Sequence, residues 1–212
     1  LIERMIRHLP ESTVRKLGIF AHGEESVNVH RDDPIFDGQF SNRCYQRAVR
    51  QAFHDYTKKA TRQGDFDPDA DEKLTEQWSR IIMHLPYAFQ AKRMFPDVFR
   101  HDRQDSEMWA NITENIGPMP ELAQSDDEAI IAKWEQEMDA YRRAISKTPE
   151  YIEFHASRIE KGQRASSLIG NQYTGSIFLA LMSTFESDLE ENCNLDNTKF
   201  GLCGYGSGAK AK

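Results

Sequence analysis

The sequence is short of the features that would give several protein classes away. It has three cysteines, Cys44, Cys193 and Cys203, with no CxxC pair and no even framework, which excludes a zinc knuckle and a disulfide scaffold and leaves reduced thiols. It has no apolar run long enough to span a bilayer and no charged-then-apolar leader with a small-residue cleavage site, so the expected setting is soluble and cytoplasmic, with no membrane partner. Basic excess is also missing. Lys and Arg number 27 against 34 Asp and Glu, a formal charge of -7, which speaks against nucleic acid as a partner; an anionic ligand would need a local basic patch. There is no internal repeat and no low-complexity tract. The acidic run from Asp65 to Asp71 lacks the glycine and the terminal glutamate of an EF-hand loop, so no metal site is expected. An initiator methionine is absent too: the chain starts at Leu1 and stops at Gly208-Ala209-Lys210-Ala211-Lys212, just past a strand-like stretch and a tight turn. The expectation is a fragment, or a protein without its flanks.

What is present suffices for a single core, with 39% hydrophobic residues in 212. The clearest element is a helix capped by Ser41, carrying Cys44, Tyr45, Ala48, Val49, Ala52, Phe53 and Tyr56 on one face until Gly64 stops it. Ahead of it lie short amphipathic pieces from Leu1 to Leu9 and after Pro10, then a loop with a short strand at Ser26 to His30. Arg80 to Met83 is a brief apolar run that reads as a buried strand ending at His84, and Pro86 stands at the first position of a helix to Phe95. Residues 100 to 163 are helical and charged. There Ile130, Ile131, Trp134, Met138 and Tyr141 form the buried stripe of a helix from Asp126 to Ile145, and Thr148-Pro149-Glu150 opens another that ends at Gly162. The last third holds a polar elbow, Gly170-Asn171-Gln172-Tyr173-Thr174-Gly175-Ser176, in which Thr174 or Ser176 can cap the helix running on to about Glu190. A glycine-rich strand, Phe200 to Tyr205, then closes in the Gly206-Ser207-Gly208 turn.

Four places could carry chemistry. His84, at the carboxyl end of a strand where a helix begins, can donate to a carbonyl oxygen or shuttle a proton near neutral pH, and taken by itself fits a hydrogen-bonded structural role equally. Asn171, whose amide lies beside a helix start that suits a developing oxyanion, is by itself ordinary turn vocabulary. Ser207 is no nucleophile elbow, because Gly204-Tyr205-Gly206-Ser207-Gly208 does not follow the Gly-x-Ser-x-Gly order; hydrogen bonding by its hydroxyl or amide is the reading. Lys92 and Arg93 follow His84 on the expected helix and could hold phosphates, or be solvated surface charges.

Together these stretches point to a family. Ile-Met-His84-Leu-Pro-Tyr-Ala-Phe, Gly-Asn171-Gln-Tyr-Thr-Gly-Ser-Ile-Phe and Gly-Leu-Cys-Gly-Tyr-Gly-Ser207-Gly resemble the second half of hydroxymethylglutaryl-CoA synthases. Ile35-Phe36-Asp37-Gly38-Gln39-Phe40-Ser41-Asn42-Arg43-Cys44-Tyr45 is similar to that family's Val-Asp-Gly-x-x-Ser-x-x-Cys-Tyr stretch. The resemblance covers Val29 to Lys212, with residues 1 to 28 and 100 to 160 matching loosely. It implies an α/β, thiolase-like fold, this chain being the second half of a layered αβαβα arrangement with an extra helical insertion at about 100–163, and a homodimer. It implies an acyltransferase of the mevalonate route to isoprenoids, with acetyl-CoA and acetoacetyl-CoA as substrates and no cofactor. His84 would bind the acetoacetyl thioester and assist attack, Asn171 would hydrogen-bond the substrate carbonyl, and Tyr173 and Ser207 would line the same pocket. The sequence departs from the family in two respects. Phe89 stands where many members have a lysine, leaving CoA phosphates to Lys92, Arg93 or residues outside the chain. The nucleophilic cysteine and catalytic glutamate belong to the first half, so this chain alone should be inactive. A synthase of the same family acting on carrier-protein-bound substrate in polyketide β-branching, or a non-catalytic thiolase-fold subunit, would look nearly the same in sequence.

Overall fold

The computed structural model describes residues 38–121, 127–206 and 210–211. The pieces expected before residue 31 and the Ser207 turn lie outside them. Helix α1, Gly38–Gln63, starts before Ser41, which therefore lies inside the helix and does not cap it. Its buried face is Tyr45, Val49, Phe53 and Ala60, and Gly64 ends it with a φ of +77°, a conformation that glycine adopts without a Cβ clash.

Strand β1, Arg80–Met83, pairs in parallel with β2, Phe200–Cys203, with Ile81 opposite Gly201. Ile81, Ile82 and Met83 are all buried, as consecutive apolar residues are in a strand covered on both faces. A Cβ on Gly201 would lie 2.4 Å from the Trp78 indole. Glycine is thus required there by packing within the chain.

The helix expected from Pro86 to Phe95 is not formed as such. The chain leaves β1 through an open turn and becomes helical only in α2, Gln90–Met94, and α3, Pro96–Arg103, so the proline at a first helical position is Pro96. Leu85 precedes a proline and is pushed away from helical backbone, and its N–H is taken by the Ser176 hydroxyl.

Helix α4, Glu107–Ile116, is capped by Ser106, whose hydroxyl accepts from the Trp109 amide. Helix α5 spans Glu128–Ile145. Of its expected stripe only Met138 and Tyr141 are buried, joined by Ile145; Ile130 is exposed and Ile131 and Trp134 are half-buried. Among the described elements α5 packs on α3 and α4, helices of 8 and 10 residues against its 18. Helix α6, Pro149–Arg158, opens on Thr148 as expected and passes through a 3-10 turn, Glu160–Gly162, into α7, Gln163–Ile169, which the sequence did not suggest. Helix α8 is Ser176–Glu190, and β3, Tyr205–Gly206, pairs antiparallel with β4, Lys210–Ala211.

One core joins these elements. Residues 100–163 contribute Trp109, Ile112, Tyr141, Ile145, Tyr151 and Phe154 to the same cluster as Ile81, Ile82 and Met83. The buried Arg103 guanidinium lies over the rings of Phe99 at 4.3 Å and Phe154 at 4.8 Å and pairs with Asp102 and Glu76, so this charge is both stacked and compensated. Among the described residues no helix is long and apolar enough to cross a membrane.

Candidate active site

His84 leaves the sheet at the carboxyl end of β1, where its backbone N–H still donates to the Cys203 carbonyl at 2.9 Å. Its own carbonyl accepts from the Tyr45 hydroxyl of α1, and Tyr45 stacks on Tyr205 with ring centroids 4.3 Å apart. Both tyrosine rings lie 6.2 Å from the imidazole. On the other side His84 Nδ1 is 2.7 Å from the Ser176 Oγ at the start of α8, and that oxygen accepts the Leu85 N–H at 3.1 Å. His84 Nε2 has no partner among the described residues.

Burial alone pushes the His84 imidazole below its usual range, so it is neutral at pH 7. Around it burial raises the Tyr205 phenol, and burial with Cys203 and Tyr205 nearby raises the Tyr45 phenol strongly. Burial also pushes the Cys203 thiol up to about 12, which leaves it a poor nucleophile. The corner is therefore half-buried and uncharged, a setting in which a hydrogen bond to a carbonyl oxygen is stronger than in bulk water.

Asn171 lies in the exposed link between α7 and α8. Its Oδ1 accepts from the Tyr173 N–H at 2.7 Å, an Asx turn that leaves the Nδ2 amine without a partner among the described residues. Gly170, at a φ of +87°, ends α7 and turns the chain into this link. Tyr173 has a φ of +49° and is 76% exposed. No hydrogen bond or ring contact among the described residues joins either residue to His84; Ser176 is the part of the elbow that reaches it. Ser176 also does not cap α8, whose first turn has no side-chain cap. Ser207 lies outside the described residues.

Lys92 and Arg93 line a cleft of about 540 Å³ together with Asn42 and Arg43 of α1 and Arg142 and Arg143 of α5; His84 is not part of its lining. Arg43 pairs with Glu135, and Arg142 with Asp97 and Asp139. Lys92 is in no ion pair among the described residues, while Arg93 lies 5.9 Å from the Tyr87 ring centroid. The residues missed from sequence as partners of His84 are Ser176, read as a cap, and Tyr45 and Tyr205, read as helix stripe and strand.

The sequence profile described as "Hydroxymethylglutaryl-coenzyme A synthase C terminal" matches residues 27–212. The chain belongs to the hydroxymethylglutaryl-CoA synthase family. The Haloferax volcanii protein named hydroxymethylglutaryl-CoA synthase is 27% identical over 179 residues, which cover 84% of this chain and 37% of that protein. The Saccharomyces cerevisiae protein of the same name is 26% identical over 185 residues, 84% of this chain and 34% of its own. Among solved structures, MvaS in complex with 3-hydroxy-3-methylglutaryl coenzyme A superposes with a TM-score of 0.56 at 24% identity, covering 85% of this chain and 35% of that one. The fold is accordingly α/β and thiolase-like, and the chain spans about a third of the length of these relatives.

Proposed function

We propose that this chain is the C-terminal portion of an acyltransferase that condenses acetyl-CoA with acetoacetyl-CoA to give hydroxymethylglutaryl-CoA and CoA, in the mevalonate route. The observation that carries the reading is the position of His84 at the end of β1, with its Nδ1 against the Ser176 hydroxyl and its Nε2 open among the described residues; burial lowers its imidazole and favours the neutral form. Such an imidazole can hydrogen-bond the carbonyl of an acetoacetyl thioester as charge builds on its oxygen, a contribution of about 3 kcal/mol for one well-placed donor. Asn171, with its amine unspent, is the second donor, and Tyr173 and Ser207 are lining residues. Lys92 and Arg93 hold CoA phosphates in the cleft they line between α1 and α5. No protein cofactor enters.

The nucleophilic cysteine and catalytic glutamate come from the remaining two thirds of the longer chain, so this portion alone is inactive. An exposed apolar stripe on α8, with Phe178 at 66%, Met182 at 67% and Leu189 at 73% exposure, supports a further part of the longer chain that covers it. The protein works in the cytoplasm as a homodimer; its three free thiols suit a reducing compartment.

One observation favours a second reading. Phe89, where many family members have a lysine, is 67% exposed, and an exposed apolar side chain at that position suits a carrier-protein surface better than a CoA phosphate. The test is made in the full-length protein. His84→Ala should weaken use of acetoacetyl-CoA far more than formation of the acetyl-enzyme, and Asn171→Ala should lower turnover by about two to three powers of ten with the fold intact. Equal loss of both half-reactions in His84→Ala contradicts the assignment, and full activity only with carrier-bound acetoacetyl groups selects the second reading.

A further inference from the structure

Ser176 does more at this corner than start a helix. Its side chain has no exposure, its Oγ accepts the Leu85 N–H at 3.1 Å, and the same oxygen lies 2.7 Å from His84 Nδ1. A serine hydroxyl has one hydrogen to give. His84 Nδ1 is the one acceptor for that hydrogen among the described residues. The reverse arrangement, with Nδ1–H donating to the serine, would put two N–H donors on one oxygen and leave a buried hydroxyl hydrogen with no acceptor, which protein interiors avoid. We propose that Ser176 is a positioning residue that holds His84 as its Nε2–H tautomer, so that the histidine offers a hydrogen-bond donor, and no lone pair, to a bound carbonyl oxygen.

The fold makes this a local clamp. Leu85 follows His84 directly, so a single hydroxyl fixes both the ring and the main chain of the turn that leaves β1, while Tyr45 holds the His84 carbonyl from α1. Protonating His84 would require Ser176 to turn its hydrogen around with nowhere to place it, so the clamp and burial act in the same direction. Only burial shifts this group; the groups that face it from the packed elements, Tyr45, Cys203 and Tyr205, are themselves neutral at pH 7. A resting His84 in this state cannot take a proton at Nε2. It polarises a carbonyl first and can act as a base only after giving its own proton away.

The proposal rests on the acyl-transfer reading for its substrate, and its test is separable from it. In the full-length protein labelled on histidine nitrogen, NMR distinguishes protonated from bare ring nitrogens, with His84→Gln assigning the signal. The expected result near neutral pH is a bare Nδ1 and a protonated Nε2, retained in Ser176→Thr and mixed in Ser176→Ala. Ser176→Ala should also lower kcat about fivefold to tenfold, as loss of one ordinary hydrogen bond would. A protonated Nδ1 in the unmutated protein overturns the proposal, as does an Ala spectrum identical to the unmutated one; the unmutated and Thr spectra decide if Ser176→Ala does not fold. The expected tautomer in a protein that fails to condense acetoacetyl-CoA would sink the proposed activity alone. An active enzyme with Nδ1–H would sink the clamp alone.

Discussion

The two faces of α8 reverse the usual order. The face turned inward is Ser176, Ala180, Ser183, Thr184, Ser187 and Asp188, all buried, whereas Phe178, Met182, Phe185 and Leu189 are exposed. Small side chains let the helix lie close to its neighbours: a Cβ on Gly162 would come within 3.3 Å of the Thr184 hydroxyl and 3.6 Å of the Ala180 methyl. Two of the buried hydroxyls have carbonyl acceptors, Ser183 donating to Lys161 and Thr184 to Ala180. Asp188 receives Arg80 and Lys161, each at 2.6 Å. Burial would raise its carboxyl, and the hydrogen bonds from these two cations outweigh that and hold it below its usual range. The lesson is that hydrophobicity alone does not tell which face of this helix meets the rest of the chain. Hydrogen bonding and close approach hold the inner face, and the larger apolar side chains of the outer face are exposed.

The strongest way to break this comparison is at Asp188. Asp188→Ala leaves Arg80 and Lys161 facing each other without their shared partner, and it should destabilise the protein by roughly 3 kcal/mol in urea unfolding. A loss below about 1 kcal/mol would mean the inner face is held by packing alone.

The buried side of α6 can be probed by pH. His155, buried on α6 beside Gln163, has its imidazole lowered to about 4 by burial and then by Lys92. Above pH 6.5 or so it is neutral both folded and unfolded and contributes no pH dependence. Below that the unfolded chain takes up a proton that the folded one does not, so stability should fall between about pH 6.5 and 4, by up to roughly 3 kcal/mol. His155→Gln should flatten the slope of stability against pH in this window. An unchanged slope would assign it to other groups.

The smallest effect is expected on the outer face. Phe178→Ser and Met182→Ser should each change the stability of the 212-residue chain by under about 0.5 kcal/mol. In the full-length protein each should cost about 2 kcal/mol, because the side chain is then buried. Equal effects in both would show that no part of the longer chain covers this stripe.

Much of the fold was legible from periodicity. Strand β1, the long α1, the Thr148 start of α6 and the α8 span follow from local pattern and capping chemistry. The errors arise where a neighbour decides. Ser41 has the right chemistry for a cap, yet α1 runs through it. Pro86 fits a first helical position, but Leu85 is held in the turn by Ser176 across the fold. The α5 stripe is apolar throughout, and among the described residues only its C-terminal half, from Met138 to Ile145, is buried.

The candidate site divides in the same manner. The sequence by itself determined that His84 stands at a strand end, that Asn171 sits in an Asx-prone elbow before a helix, and that the motifs belong to one family, because these are properties of residue type and spacing. Only the tertiary structure decided that the residue of the elbow reaching the imidazole is Ser176, that Tyr45 and Tyr205 enclose it, and that Lys92 and Arg93 line a separate cleft. It also decided which face of α8 turns inward. Each of these depends on contacts between residues far apart in sequence, Ser176 with His84 and Asp188 with Arg80 among them, which no local propensity encodes.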